Sequence, residues 1–358
     1  MSHRSFRARA FTATAALLGG LAACVPEFAD DQSVIRAPRI VAVRSVPAEA
    51  RAGTVVQLSA LVVGPSRESA LREEPEWAMC LARKPLTELG PIAQECIDRF
   101  GSGGETVLRI GRGTGVSGAV PADACQRFGP LTAAAEPGGV SARPVDSDLS
   151  GGYHQPVVVG SEAGVVLASV RLTCGIVGLP SAEVARYTRG YRPNENPVID
   201  RLDLGTGDGA RAITPGTERP GATVRAGARV DLRALWAACP RQPVCGDGLC
   251  TAGENQSSCA EDCRTNPRAC TGAETYLSAN ADTKTIEERR EGMAVAWYAT
   301  AGVFAEEKTG RTEGDPDGVD TTNGWTAPLA PGFVNLWVVV RDDRGGVGWG
   351  EYLVSVEP

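Results

Sequence analysis

Arg225-Ala226-Gly227-Ala228-Arg229-Val230-Asp231-Leu232-Arg233-Ala234-Leu235 echoes Arg51-Ala52-Gly53-Thr54-Val55-Val56-Gln57-Leu58-Ser59-Ala60-Leu61. Both copies open on Arg-Ala-Gly and run into an alternation of period two, which is the pattern of a strand. In the second copy Val230, Leu232, Ala234 and Trp236 share one face, and Arg229, Asp231 and Arg233 share the other. That is a strand with one side on a core and one side in water. Each copy lies downstream of a Pro-x-Ile start, Pro38/Ile40 in one and Pro197/Ile199 in the other. The offset of 174 residues is too long for a solenoid unit, so the chain reads as two related domains in tandem.

Around the first copy, residues 40–43, 56–62, 106–110, 157–160 and 164–174 read as strands, 47–53 as a turn, and 77–80 as the start of another apolar run. Two pieces break the pattern. Leu89, Ile92, Cys96 and Phe100 fall at helical spacing after Gly90-Pro91, and residues 121–128 read as a second short helix. In each piece a cysteine leads to Arg-Phe-Gly, which predicts two short helices stapled to one another through Cys96 and Cys125. Residues 182–191 close the first domain. Arg192-Pro193-Asn194-Glu195-Asn196-Pro197 reads as an extended or turning linker. Beyond it, residues 293–298, 324–326, 333–340 and 347–356 are strand-like, and Arg341-Asp342-Asp343-Arg344-Gly345-Gly346 is a hairpin turn by composition.

Short strands, Gly/Pro turns and a final aromatic hairpin resemble the immunoglobulin-like β-sandwiches of bacterial surface proteins, including polycystic-kidney-disease-like modules. The resemblance covers most of residues 197–358 and covers 39–190 less well. It implies a mainly β chain of two immunoglobulin-like β-sandwich domains in tandem. The first, 39–191, carries short helices; the second, 192–358, carries a small disulfide-rich insert.

The repeat locates that insert. Leu61 to Trp77 is 16 positions, whereas Leu235 to Trp297 is 62. Six cysteines lie in the extra stretch, and residues 239–270 form the cysteine-rich insert. Cys245-Gly246-Asp247-Gly248-Leu249-Cys250, then Gly253-Glu254, Cys259 and Asp262-Cys263, resembles a C-G-D-G-x-C…G-E…C…D-C module recurrent in secreted bacterial proteins. A stretch with so few apolar side chains must be held by staples. Cys239 and Cys270 flank it and would close its neck; the four inner cysteines leave three connectivities open. Asp247, Glu254 and Asp262 are candidate oxygen ligands for calcium, and a second acidic loop offers Asp315, Asp317 and Asp320. The alternative is that Gly-Asp-Gly is a turn and the acids are solvated.

Near the start, Arg4, Arg7 and Arg9 precede an apolar run over 11–21, which is too short to span a bilayer as a helix. Leu21-Ala22-Ala23-Cys24 follows and resembles the lipobox of bacterial lipoproteins. That resemblance implies a signal peptide over 1–23 and a lipid on Cys24 as the membrane partner. Val25 as the next residue implies the outer membrane of a Gram-negative cell. Residues 24–38 then read as a tether. Of the 11 cysteines, Cys24 would be lipidated. Cys80, Cys96, Cys125, Cys174, Cys239, Cys245, Cys250, Cys259, Cys263 and Cys270 remain, and an even count in an oxidising compartment reads as five disulfides.

Hydrophobic content of 42% and charged content of 22% fit folded globular material. Past the signal, 33 basic residues face 43 acidic ones. With no basic cluster, nucleic acid is not an expected partner. His154 is the sole histidine of the mature chain, which leaves His-based zinc sites and His-dependent triads almost nothing to build with. Gly113-Thr114-Gly115-Val116-Ser117-Gly118 matches G-x-G-x-x-G but is followed at once by Pro121, not by a helix, so it reads as a glycine loop. Trp325, Trp337 and Trp349 read as core or sheet aromatics, with a carbohydrate platform as the sharper alternative. The expectation is a non-catalytic binding or structural protein of the cell envelope with a protein or glycan ligand. Set against it are an exported hydrolase and a subunit of an envelope assembly.

Overall fold

The computed structural model describes residues 31–66, 71–85, 87–130, 152–251, 253–264, 269–280, 282–315 and 318–358. Cys24 and its lipobox lie outside them, as does Asp317. The first sandwich opens with β1 (Arg39–Val46), β2 (Glu49–Ala50), β3 (Val55–Val63) and β4 (Glu76–Cys80). It continues with β5 (Val107–Arg112), β6 (Gly115–Ala119), β7 (Tyr153–Ser161) and β8 (Gly164–Leu172). One sheet has the order β1-β3-β6 and the other β2-β8-β7-β4-β5. The alternation of the first repeat copy drives the packing. Val56, Leu58 and Ala60 of β3 point at Trp77, Met79, Val157, Val159 and Val170 of the facing sheet. G-x-G-x-x-G falls on the β5–β6 hairpin, so it is strand and turn rather than a phosphate loop.

The second sandwich repeats this plan. Its early strands are β9 (Arg201–Leu204), β10 (Arg211–Ala212), β11 (Ala222–Arg225) and β12 (Arg229–Leu235). A hairpin of β13 (Thr275–Asn280) and β14 (Thr285–Arg290) follows the insert. Then come β15 (Met293–Ala299), β16 (Val303–Phe304), β17 (Lys308–Arg311), β18 (Asp320–Thr326), β19 (Gly332–Asp342) and β20 (Val347–Glu357). The sheet orders are β10-β9-β12-β18-β16 and β11-β20-β19-β15-β17. β12 sits between β9 and β18 as β3 sits between β1 and β6. The short strand β2 pairs parallel with β8, and β11 pairs parallel with β20. Trp77 and Trp297 occupy matching places, both fully buried. The Trp77 indole donates to Gly113 O at 2.7 Å and that of Trp297 to Thr309 Oγ1 at 2.9 Å. The chain is thus a tandem of related β-sandwiches, and the insert lies between β12 and β15.

Ten cysteines form five disulfides, which belong to a compartment outside the reducing cytoplasm. Cys239–Cys270 closes the neck of the insert, with Cys245–Cys259 and Cys250–Cys263 inside it. The first domain departs from expectation. Cys80 pairs with Cys96 and Cys125 with Cys174, so each helix is stapled to the sandwich and not to the other helix. The helices are short, α1 (Gln94–Asp98) and α2 (Ala124–Phe128), and Leu89 is exposed instead of lying on a helical stripe. No helix among the described residues is long and apolar enough to cross a membrane.

Residues Gln32–Pro358 make one compact unit. The reason lies in β19, which is apolar on both faces. Val334, Leu336, Val338 and Val340 enter the second sandwich, while Trp337 and Val339 meet Ala42, Leu61 and Val63 on the back of the first. Arg44 stacks over Trp349 at 4.3 Å, and Arg341 donates to Val41 O at 2.9 Å. The tether expected over 24–38 does not stay free to its end. Ile35 is buried in the interface, and Ile35 N donates to Ala299 O at 2.8 Å while Ala299 N donates to Ser33 O at 2.8 Å.

Candidate functional site

α3 (Ser181–Gly190) ends where the cysteine-rich insert begins to lean on it. Gly253 N donates to Gly190 O at 3.3 Å. A Cβ at Gly190 would stand 2.8 Å from Leu277 Cδ1, so a larger residue there would force the Leu277 side chain to shift. Glu183 Oε2 accepts from Ile286 N at 2.8 Å, and Arg186 Nη1 donates to Ile286 O at 2.7 Å, which pins the helix along the edge of β14. Helix, hairpin and insert together enclose a cleft of about 290 Å³. Arg186, Arg189 and Arg241 line it, against one acid, Glu288, which lies 3.7 Å from Arg186. Pro243 and Leu277 supply an apolar wall; Gln242, Asn255 and Thr275 supply polar atoms.

Beneath the cleft lies a buried network of charge. The alternation of β13 divides its residues between the two: Thr275 and Leu277 line the cleft, whereas Glu274 and Tyr276 are buried beside Arg344. Arg344 comes from the turn joining β19 and β20 and is 1% exposed. Its Nη2 reaches Glu49 Oε2 at 3.3 Å and Arg192 O at 2.8 Å, and its Nη1 reaches Glu291 Oε1 at 3.3 Å. The guanidinium lies between the rings of Tyr191, at 5.5 Å, and Tyr276, at 4.9 Å.

Glu49 comes from β2 of the first domain. It also accepts from Arg171 Nε at 3.2 Å, Thr173 Oγ1 at 2.9 Å, Asn194 N at 2.9 Å and the Tyr191 hydroxyl. The linker read as residues 192–197 is therefore gripped from both sides. Asn194 Nδ2 donates to Asp342 Oδ1 at 3.1 Å, and Asn196 bridges Ser45 O and Val347 N.

The electrostatics follow from this crowding. Burial alone would raise Glu49, but Arg171 and Arg344, with the Asn194 and Tyr191 donors, hold it below the usual carboxylate range. Glu274 and Glu291 share one guanidinium. Burial pushes Glu274 up to about 8 and Glu291 well above its ordinary value, more than Arg344 can offset. Burial raises Asp342 as well.

The acids singled out in the sequence have other partners. Asp262 Oδ2 accepts from Gly246 N at 2.6 Å and its Oδ1 from Gly248 N at 3.0 Å, which fixes the Gly-Asp-Gly turn. Asp247 Oδ1 accepts from Leu249 N at 2.8 Å, and Glu254 Oε2 from Thr251 N at 2.7 Å. Glu254, Cys259 and Asp262 converge, but the Cys259 sulfur is spent on a disulfide. Glu254 Oε1 is the open buried oxygen there. A calcium ion takes six to eight oxygens, so one held here would need backbone or water oxygens beside those of Glu254 and Asp262. Asp320 is held by Arg311 and Arg233, and Asp315 by Arg311 at 2.7 Å.

Trp325 and Trp337 are buried, so neither offers a sugar platform. His154 Nδ1 lies 3.5 Å from Ser169 Oγ on an exposed strand face.

The sequence reading missed the cleft and the network. Their residues come from what reads as a turn, a linker and a hairpin tip. The available signal was a hairpin with four charges set between strands as apolar as Phe333–Val340 and Val347–Val356.

No protein family matches the chain, and no curated protein matches it. Among solved structures, it is similar to the fibronectin(III)-like modules of Clostridium thermocellum CbhA, at 10% identity over 91% of this chain and 92% of that one, with a TM-score of 0.19. The Yersinia pseudotuberculosis adhesin InvE aligns at 9% identity over 88% of this chain and 58% of that one, with a TM-score of 0.19. The FN1-FN3 domains of chicken CNTN1 align at 9% identity over 90% and 69%, with a TM-score of 0.19. At such scores the fold rests on the strand order described above.

Proposed function

We propose that this is a lipid-anchored binding protein of the bacterial cell envelope, non-catalytic, with its ligand site in the cleft formed by α3, the cysteine-rich insert and the β13–β14 hairpin. The observation that carries the reading is the placement of that cleft. Three elements added to the plain sandwich plan meet there, and the buried Glu49–Arg344 network fixes their bases. A site held on a rigid base loses little entropy when it binds. The lipid on Cys24 would hold the chain at the outer membrane, with the signal over 1–23 removed.

Two experiments test the reading. Cys24→Ser is expected to release the protein from membranes; retention of the variant after a high-salt wash would remove the anchor from the account. In the lipid-free Cys24→Ser form, Thr275→Trp is expected to fill the cleft and abolish retention of the protein on isolated envelope material at low salt. Unchanged retention would place the ligand site elsewhere.

A further inference from the structure

We infer that the cleft takes an acidic sugar: a saccharide unit bearing a carboxylate. The inference rests on the cleft being the ligand site. The chain carries a net charge of −7, yet three arginines converge on one cavity with a single acid among its lining residues. Arg186 and Arg189 lie one turn apart on α3, and Arg241 faces them from the insert. Arg186 already spends donors on Ile286 O and Glu288. The Arg189 side chain is exposed and makes no hydrogen bond or ion pair among the described residues. Its planar guanidinium is matched to an oxyanion, which it can grip with two parallel N–H bonds.

Size and lining narrow the class further. A volume of about 290 Å³ lies at the small end of ligand sites and suits one or two rings, not a protein segment or a bilayer surface. Gln242 and Thr275 offer donors and acceptors for hydroxyl groups, and Pro243 with Leu277 offers an apolar wall for the face of a ring. A bare anion would use the arginines and leave that wall unused. A neutral sugar would use the wall and leave Arg189 unused.

The test is calorimetric titration of the disulfide-intact chain with tri-galacturonate, its neutral galactose counterpart and inorganic phosphate. Tri-galacturonate is expected to bind. Its affinity should fall as salt rises, and by at least about tenfold in Arg189→Ala/Arg241→Ala, with affinity compared on the folded fraction of each protein. Equal binding of the neutral trimer, lost with Thr275→Trp, would overturn the acidic class and leave the cleft standing. Phosphate binding as tightly as the trimer would overturn the sugar. Tri-galacturonate affinity unchanged in the double arginine variant, or no binding at all, would overturn the inference; retention of the Thr275→Trp protein on envelope material then decides the cleft separately.

Discussion

Arg344 shows how one residue can decide the arrangement of two domains. A buried guanidinium is costly unless its charge is matched; here Glu49 of one domain supplies the opposite charge and Glu291 of the other a hydrogen-bond acceptor. Removing it leaves Glu49 with Arg171 alone and takes a hydrogen-bond donor from Glu291. Arg344→Met is expected to destabilise the chain by about 3–5 kcal/mol, measurable by denaturant titration. The acids also set a pH dependence. Glu274 is raised to about 8 in the fold, so its contribution is fully present below the ordinary glutamate range and is lost as pH rises through about 8. Glu49 is depressed, so its contribution is present above the ordinary range and is lost only as pH falls through its lowered value. Stability is therefore expected to decline as pH rises from the ordinary glutamate range to about 8, and Glu274→Gln to flatten that decline in a melting series. An unchanged slope in the variant would assign it to other groups. Little of this was legible in the sequence. Glu49 lies in what reads as a turn and Arg344 in what reads as a solvated hairpin tip, and nothing local says that a second domain covers both.

Single elements were far more readable. β12 buries Leu232 and Ala234, with Trp236 just past its end, and turns Arg229 and Asp231 outward, as its alternation requires. Trp77 and Trp297 take the matching places that the repeat implies. Disulfide pairing in the first domain was not readable, because the similarity of the two Cys-to-Arg-Phe-Gly pieces is local and the pairing depends on which strand lies under each. The β13–β14 hairpin also escaped, since Thr285–Arg290 carries four charges in six residues and looks like loop. The insert is separable on energetic grounds. Cys239 and Cys270 have Cα atoms 5.6 Å apart, so its neck can be bridged without moving β12 or the hairpin. Replacing 239–270 by a short Gly/Ser linker is expected to leave the sandwich folded within about 1 kcal/mol, because loop length costs little. The cleft loses one wall in that variant, and ligand binding should go with it. Loss of cooperative unfolding would instead make the insert part of the structural core.

At the scale of the whole molecule, two sandwiches that could have been beads on a string are joined along a sheet face. The unbroken apolar run of β19 is the sequence trace of that contact. A strand with one wet face alternates, whereas this one buries Trp337 and Val339 against the first domain and their neighbours in its own core. The linker adds to the contact, with Asn194 buried and hydrogen-bonded to both sides. Such a body holds the cleft in one fixed orientation relative to Ser33–Ile35, because that segment is docked on the same strand system. The central claim is that residues 32–358 fold as one cooperative unit through this interface. Scanning calorimetry tests it most directly. The parent protein is expected to unfold in a single transition whose calorimetric and van't Hoff enthalpies agree, and Arg344→Met to separate it into two. Two resolved transitions in the parent, each unmoved by Arg344→Met, would contradict it.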